Sequence, residues 1–118
     1  MGYYTHFELE IKTSSGNNLF AVESSIAEPI IADLRASNEE AEYCLQPNGE
    51  AEERGKWYDN DQNIKEFSLK YPYYVFVVTG EGEESGDIWK RYTQNGKSQH
   101  CEAVTTFPPF DPSLLNND

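Results

Sequence analysis

The chain opens with a strict alternation of apolar and polar residues. Between Tyr3 and Lys12, residues such as Phe7 and Ile11 fall on one side, while His6 and its alternate neighbours fall on the other. A period of two is typical of a strand with one face in a core and one in water. The pattern therefore predicts a half-buried first strand, a polar turn at "TSSGNN" and a short extended piece at "LFAV".

A different spacing follows at Ile26, Ile30 and Leu34, which recur three to four residues apart. That spacing predicts an amphipathic helix that runs to about Ser37. Its start has two interpretations, because Ser25 and Glu28 match a capping box, whereas Pro29 favours a later start with the proline in the first turn.

A second helix is predicted over Asn60–Lys70. Asp59 and Gln62 are placed to cap it reciprocally, and Pro72 stops it. Its buried stripe is predicted to be Ile64, Phe67 and Tyr71.

The apolar, β-branched run "YYVFVVTG" predicts the central strand of a sheet. Further on, Asn95-Gly96 predicts a hairpin with a type I′ turn. Counting outward from this turn pairs Tyr92 with Gln99, Arg91 with His100, Lys90 with Cys101, and Trp89 with Glu102.

Between the two helices we predict a short strand at Tyr43–Gln46 and an exposed acidic loop. The order of elements favours an α+β fold: a single-domain ferredoxin-like sandwich with an antiparallel or mixed sheet of four to five strands, two helices on one face and a C-terminal hairpin. Residues 1–118 form one domain in this interpretation. Residues 111–118 are a loosely docked tail, in which Asp111 caps a last helical turn and Leu114 and Leu115 dock.

Charge narrows the function classes. Twenty-one acidic and nine basic residues give a net charge of −12 at pH 7, which repels nucleic acid and anionic membranes and favours a basic partner. A charge that serves only solubility is the alternative. The chain also shows no signal-peptide pattern and no apolar run of membrane-spanning length, so a cytoplasmic protein is predicted, with Cys44 and Cys101 as free thiols.

Catalytic and metal motifs are weak. The glycines of "GEGEESGD" are surrounded by acidic residues, whose negative charge excludes a phosphate cradle. The stretch from Asp59 lacks the glycine and final glutamate of an EF-hand. His100 and Cys101 point to opposite sides of a strand, so His100 is badly placed to act as the base for a Cys101 nucleophile. We predict that the protein is not an enzyme and that it has no catalytic residue, metal or cofactor. Weak binding of a cation by residues 81–87 stays as an alternative.

Several sequence motifs of this chain resemble those of a known protein family. "MGYYT", "KWYD", "GEGEESGDIW", the "NGK" hairpin and "FDPSLL" are similar to those of a family of small acidic bacterial and phage proteins of unsettled function. The resemblance covers residues 1–11, 56–99 and 107–115. It implies no catalytic residues. It implies a setting in which small acidic proteins of phages and mobile elements bind host defence proteins.

Charge and resemblance together predict a non-enzymatic protein-binding module, an anti-CRISPR or anti-restriction inhibitor that occupies the basic groove of a host nuclease or CRISPR effector. It would act in the bacterial cytoplasm without direct nucleic-acid binding, and a homodimer stays open. A small-ligand, metal-binding or enzymatic role at the 81–87 loop and a housekeeping interaction domain are the alternatives. The predicted contact residues are Glu39, Glu40, Glu42, Glu50, Glu52, Glu53, Glu81, Glu83, Glu84, Asp87, Trp89 and Arg91, with Trp89 or Trp57 as the apolar anchor.

Overall fold

Five strands form one antiparallel sheet in the order β2-β1-β3-β4-β5. The structure is a computed structural model that describes residues 3–117. Its elements are β1 (His6–Ser15), β2 (Asn18–Ala21), α1 (Ser24–Ser37), α2 (Glu39–Cys44), α3 (Asn60–Ser68), β3 (Val75–Glu81), β4 (Ile88–Gln94), β5 (Lys97–Glu102) and a 3-10 turn at Pro112–Leu114. The α+β class predicted from the sequence is confirmed.

The core lies on one face of this sheet. Register places Leu9 opposite Val78 and Ile11 opposite Phe76, so alternate residues of the two middle strands meet on the same side. Helices α1, α2 and α3 cover that face, through the buried residues Ile30, Ile31, Leu34, Ala41, Cys44, Ile64 and Phe67. The other face of the sheet carries no helix in the described chain.

Two local predictions about the strands are confirmed. The hairpin turns at Asn95 and Gly96, which have φ of 49° and 80°, and the register matches all four predicted pairs. β3 lies in the middle of the sheet. Both results follow from strong local signals, a left-handed turn dipeptide and a continuous apolar run.

α1 ends at Ser37 as predicted, but the other helix boundaries and the caps differ in part from the prediction. α1 begins at Ser24 after Glu23, with no side-chain cap, and contains Pro29 inside it, so neither proposed start is right. α3 begins at Asn60 as predicted but ends at Ser68, and Asp59 makes no capping hydrogen bond. The apolar stripes decide where these helices pack, and the predicted caps are absent.

The predicted strand at Tyr43–Gln46 is wrong, because residues 39–44 form α2. The Oδ1 atom of Asn38 accepts a hydrogen bond from the Ala41 N–H at 2.9 Å, which caps the helix. Glutamates in the first turn also interact favourably with the helix dipole. Only Leu45 keeps strand character, in an isolated bridge to Ala51.

The ferredoxin-like topology is not confirmed. Such folds alternate strands and helices as β-α-β-β-α-β, whereas here β1 and β2 precede all three α-helices and β3, β4 and β5 follow them. Two helices were predicted on one face, and three lie there.

The end of the chain is capped as predicted but does not dock. Asp111 Oδ1 accepts from the Ser113 N–H at 2.9 Å, and the short 3-10 turn follows. Leu114 and Leu115 are each 69% exposed, so the predicted docking is wrong. Asp118, the last residue of the predicted tail, lies outside the described residues.

Candidate partner-binding surface

Five of the predicted glutamates converge on one open groove. α2 presents three of them, because Ala41 and Cys44 take the inner side of the helix and are buried. The groove has a volume of about 820 Å³. It is called the acidic groove below and is lined by Arg35, Glu39, Glu40, Glu42, Tyr43, Cys44, Glu52, Glu53 and Lys56.

A tight turn brings the second acidic stretch to the first. Gly49 adopts φ of 91°, and its carbonyl accepts from the Leu9 N–H at 2.8 Å. A Cβ at Gly49 would lie 2.2 Å from the Leu9 carbonyl oxygen, so only glycine fits. The Glu52 N–H then donates to the Cys44 carbonyl at 2.9 Å, which sets Glu52 beside the end of α2.

Glu50 does not join this group. It does not line the acidic groove, and its side chain accepts from Asn48 Nδ2 at 2.6 Å within the turn. Its predicted role as a partner contact therefore has no support from the groove geometry.

The groove carboxylates have no ion-pair partner in the described part of the chain. Among residues 3–117, no ion pair within 4.0 Å involves the five glutamates of the groove. Arg35 directs its Nε to the Leu45 carbonyl at 2.9 Å, so this guanidinium fixes the backbone. Tyr43 stands among the carboxylates with 56% of its surface exposed. The groove thus combines negative charge with an accessible aromatic ring.

The loop Glu81–Asp87, called the acidic loop below, is held against the start of the chain. Tyr3 Oη donates to Asp87 Oδ2 and accepts from the Glu84 N–H at 3.0 Å. The hydrogen bond to Asp87 raises the pKa of Tyr3. Glu83 accepts from the Tyr4 N–H. The acidic loop has four carboxylates, and those of Glu83 and Asp87 therefore accept hydrogen bonds from the start of the chain. The carboxylates of Glu81 and Glu84 form no ion pair among the described residues.

Gly82 makes this attachment sterically feasible. A Cβ there would lie 2.1 Å from Asp87 Oδ2 and 2.4 Å from Tyr3 Oη. Gly86 has φ of +83°, which turns the chain into β4. The glycines of this loop therefore serve close packing and a turn.

The acidic loop and the acidic groove lie near the same end of the sheet. His6 at the start of β1 pairs with Glu81 at the end of β3, and Thr5 exchanges backbone hydrogen bonds of 2.9 and 3.0 Å with Gly55. Arg54 lies between them and donates to the Glu81 carbonyl at 3.4 Å. The acidic loop and the acidic groove are therefore neighbours, and Arg54 lies between them.

Trp89 and Arg91 belong to a different site. They line a cleft of about 340 Å³ on the helix side of the sheet, together with Tyr58, Asp87 and His100. Neither residue lines the acidic groove. The structure thus places this pair away from the groove glutamates and beside Asp87, and their predicted role as partner contacts stays a prediction.

Neither tryptophan is an exposed anchor. Trp89 is only half-exposed, and its ring lies against Gly80, where a Cβ would be 2.2 Å from the ring. Trp57 is 2% exposed, and its Nε1 donates to Asn63 Oδ1 at 2.8 Å. The exposed aromatic residue of the acidic groove is Tyr43, which the strand interpretation concealed. The sequence signal for this helix was the N-capping residue Asn38, five residues before Tyr43.

Arg91 is packed instead of presented. Its side chain is 12% exposed, with Nε 3.6 Å from Asp61 Oδ1, and Nη1 donates to Asn60 Oδ1. The guanidinium carbon lies 4.5 Å from the Trp89 ring centroid, a cation–π contact. Burial lowers the pKa of Arg91. These contacts hold β4 against the start of α3.

No group of three or more His, Cys, Asp or Glu side chains within residues 3–117 is arranged to hold a metal ion. No helix in that part of the chain is both long and apolar enough to cross a bilayer. Comparison of the chain with protein-family models, curated proteins and solved structures finds no match.

Proposed function

We propose that this protein is a non-enzymatic, acidic binding module that docks on a basic, nucleic-acid-binding surface of another protein. The observation that carries the proposal is the acidic groove, which is lined by the exposed ring of Tyr43 and by five carboxylates that form no ion pair within residues 3–117. Arginine and lysine side chains that normally contact phosphates would pair with these carboxylates. The biological role proposed is inhibition of a host defence nuclease, of the anti-CRISPR or anti-restriction kind, in the bacterial cytoplasm.

The physical basis is electrostatic competition. The net charge of −12 steers the chain toward a basic groove. This attraction raises the rate of association with the partner at low ionic strength. Once bound, it occludes the surface on which nucleic acid would lie. Tyr43 supplies the apolar contact that charge alone lacks, because tyrosines are frequent anchors at interface centres.

The test uses a purified CRISPR effector nuclease and a purified restriction nuclease, each with and without bound nucleic acid. Binding is measured by biolayer interferometry from low to high salt. We expect binding to the nucleic-acid-free protein, a steep loss of affinity with salt, and competition by the cognate nucleic acid. Affinity that is unchanged from low to high salt would contradict the proposal.

A matched pair of variants locates the contact. Substitution of Glu39, Glu40, Glu42, Glu52 and Glu53 by glutamine should abolish binding. Substitution of five exposed glutamates outside the groove changes the net charge equally and should leave most of the affinity: Glu8, Glu10, Glu23, Glu28 and Glu66. Equal losses in both variants would show that only net charge matters and would refute the groove as the site.

A further inference from the structure

The end of the chain exposes an unusual amount of apolar surface. At the end of β5, the Ala103 N–H donates to the Ile88 carbonyl at 2.9 Å. Residues 104–117, called the tail below, then leave the domain. Their large apolar side chains are 69–85% exposed: Val104, Phe107, Phe110, Leu114 and Leu115.

The tail is extended and long enough to reach a neighbouring molecule. Pro108 and Pro109 restrict the backbone to extended conformations. A stretch of this length spans up to about 45 Å when extended. Contiguous exposed apolar side chains in a soluble protein usually mark an interaction site.

An apolar groove lies where the tail begins, on the face of the sheet that no helix covers. It has a volume of about 230 Å³ and is lined mainly by Ile88, Tyr92, Cys101 and Ala103, with Lys90 and Glu102 at its rim. Ile88 is 41% exposed. Alternation along β4 and β5 places the four main lining side chains on the opposite side from Trp89 and the core.

The β4–β5 part of this face is basic, whereas the chain as a whole is acidic, and Glu81 of β3 lies opposite Ile88 at its edge. The residues of β4 and β5 on the helix-free side include Lys90 and Lys97 and no acidic residue. Neither lysine makes an ion pair within 4.0 Å among residues 3–117. The tail carries Asp111 and no basic residue, so tail and face match in both polarity and charge.

We propose that the tail of one copy packs on the β4–β5 face of a second copy, and that the exchange is reciprocal. Both halves of the contact lie on the same chain, so two copies related by a two-fold axis bury both tails and both faces. Phe107 and Phe110 fill the apolar groove, while Asp111 lies near Lys90 and Lys97. The acidic groove on the helix side takes no part in this contact.

The first test is the mass of the full chain in solution at about 100 µM, a concentration at which even a weak dimer is populated. We expect a dimer by light scattering and sedimentation equilibrium. Substitution of Phe107, Phe110, Leu114 and Leu115 by serine should give a monomer with an unchanged thermal midpoint of the dissociated chain, since these side chains are 69–85% exposed. A monomeric parent chain, or a dimer that survives this substitution, overturns the proposal.

Charge exchange tests the face. K90E/K97E should dissociate the dimer, and addition of Asp111→Lys should restore it. K56E/K65E changes the net charge equally on the helix side of the sheet and should leave the dimer intact. If the control dissociates to the same extent, or if Asp111→Lys restores nothing, the proposed contact is wrong.

An isotope mixture separates exchange between copies from a tail that folds back on its own face. Carbodiimide crosslinking of a mixture of ¹⁵N-labelled and unlabelled chains should give links between Asp111 and Lys90 or Lys97 with one partner of each isotope. Links within a single isotope only would overturn the exchange. The dimer should also persist at high salt, because repulsion between two acidic chains is then screened. Loss at high salt is the behaviour expected for the basic partner, so the two proposals can fail separately.

Discussion

Replacement of Gly80 by alanine tests how the glycine-rich motif works. The residue pairs with Trp89 across the β3–β4 ladder, and an added Cβ would lie 2.2 Å from two atoms of the indole ring. Carbon atoms in contact prefer about 3.5–4.0 Å, so the ring would have to retreat by more than about 1 Å. The ring also packs edge-on to Phe7 at 6.1 Å, which limits where it can go.

The sign of the effect should depend on Trp89. In the parent chain, overpacking predicts that Gly80→Ala destabilises by about 1–3 kcal/mol. In a Trp89→Ala background no ring is present, and alanine should then stabilise the strand by about 0.5–1 kcal/mol over glycine. The resulting coupling free energy is about 1.5–4 kcal/mol.

The measurement is urea unfolding of the four chains of this cycle, followed by circular dichroism. Gly86→Ala is the control, because Gly86 has φ of +83° and no atom within 4 Å of an added Cβ. Its cost should be the same with and without Trp89, within about 0.5 kcal/mol. If Gly80→Ala costs the same in both backgrounds, the ring is not the reason for the glycine.

Two further predictions concern titration and thiol reactivity. Hydrogen bonds from Lys70 and Tyr71 lower the pKa of Asp33, so its contribution to stability is complete above about pH 4 and is lost as pH falls through its native pKa; Asp33→Asn should flatten that acid-side loss in thermal melts, and an unchanged slope would contradict the pairing. Burial, with Glu40 nearby, raises the pKa of Cys44 to about 11. At a dilution where the chain is monomeric, iodoacetamide at about pH 8 should therefore alkylate only Cys101 in the folded chain and both thiols after denaturation, as counted by intact mass. A native double adduct would refute the buried state of Cys44.

Much of the scaffold could be predicted from short stretches of sequence. The Asn95-Gly96 hairpin, its register and the central strand depend on residues within a few positions of each other, whose backbone preferences act locally. The stripe of Ile64 and Phe67 likewise predicted which side of α3 is buried. The prediction of a strand at Tyr43 is wrong because it gave a short apolar run more weight than the capping signal of Asn38. Both signals are local.

The sites depended on contacts between distant residues. Glu39 and Glu52 share a groove because Gly49 packs against Leu9 of β1, a contact that neither acidic stretch encodes. Trp89 is half-buried because the residue opposite it in β3 is glycine, so its exposure depends on cross-strand register. The docking predicted for Leu114 and Leu115 failed for a related reason. Apolarity records that a side chain avoids water, but only the tertiary structure decides whether its own core has room for it.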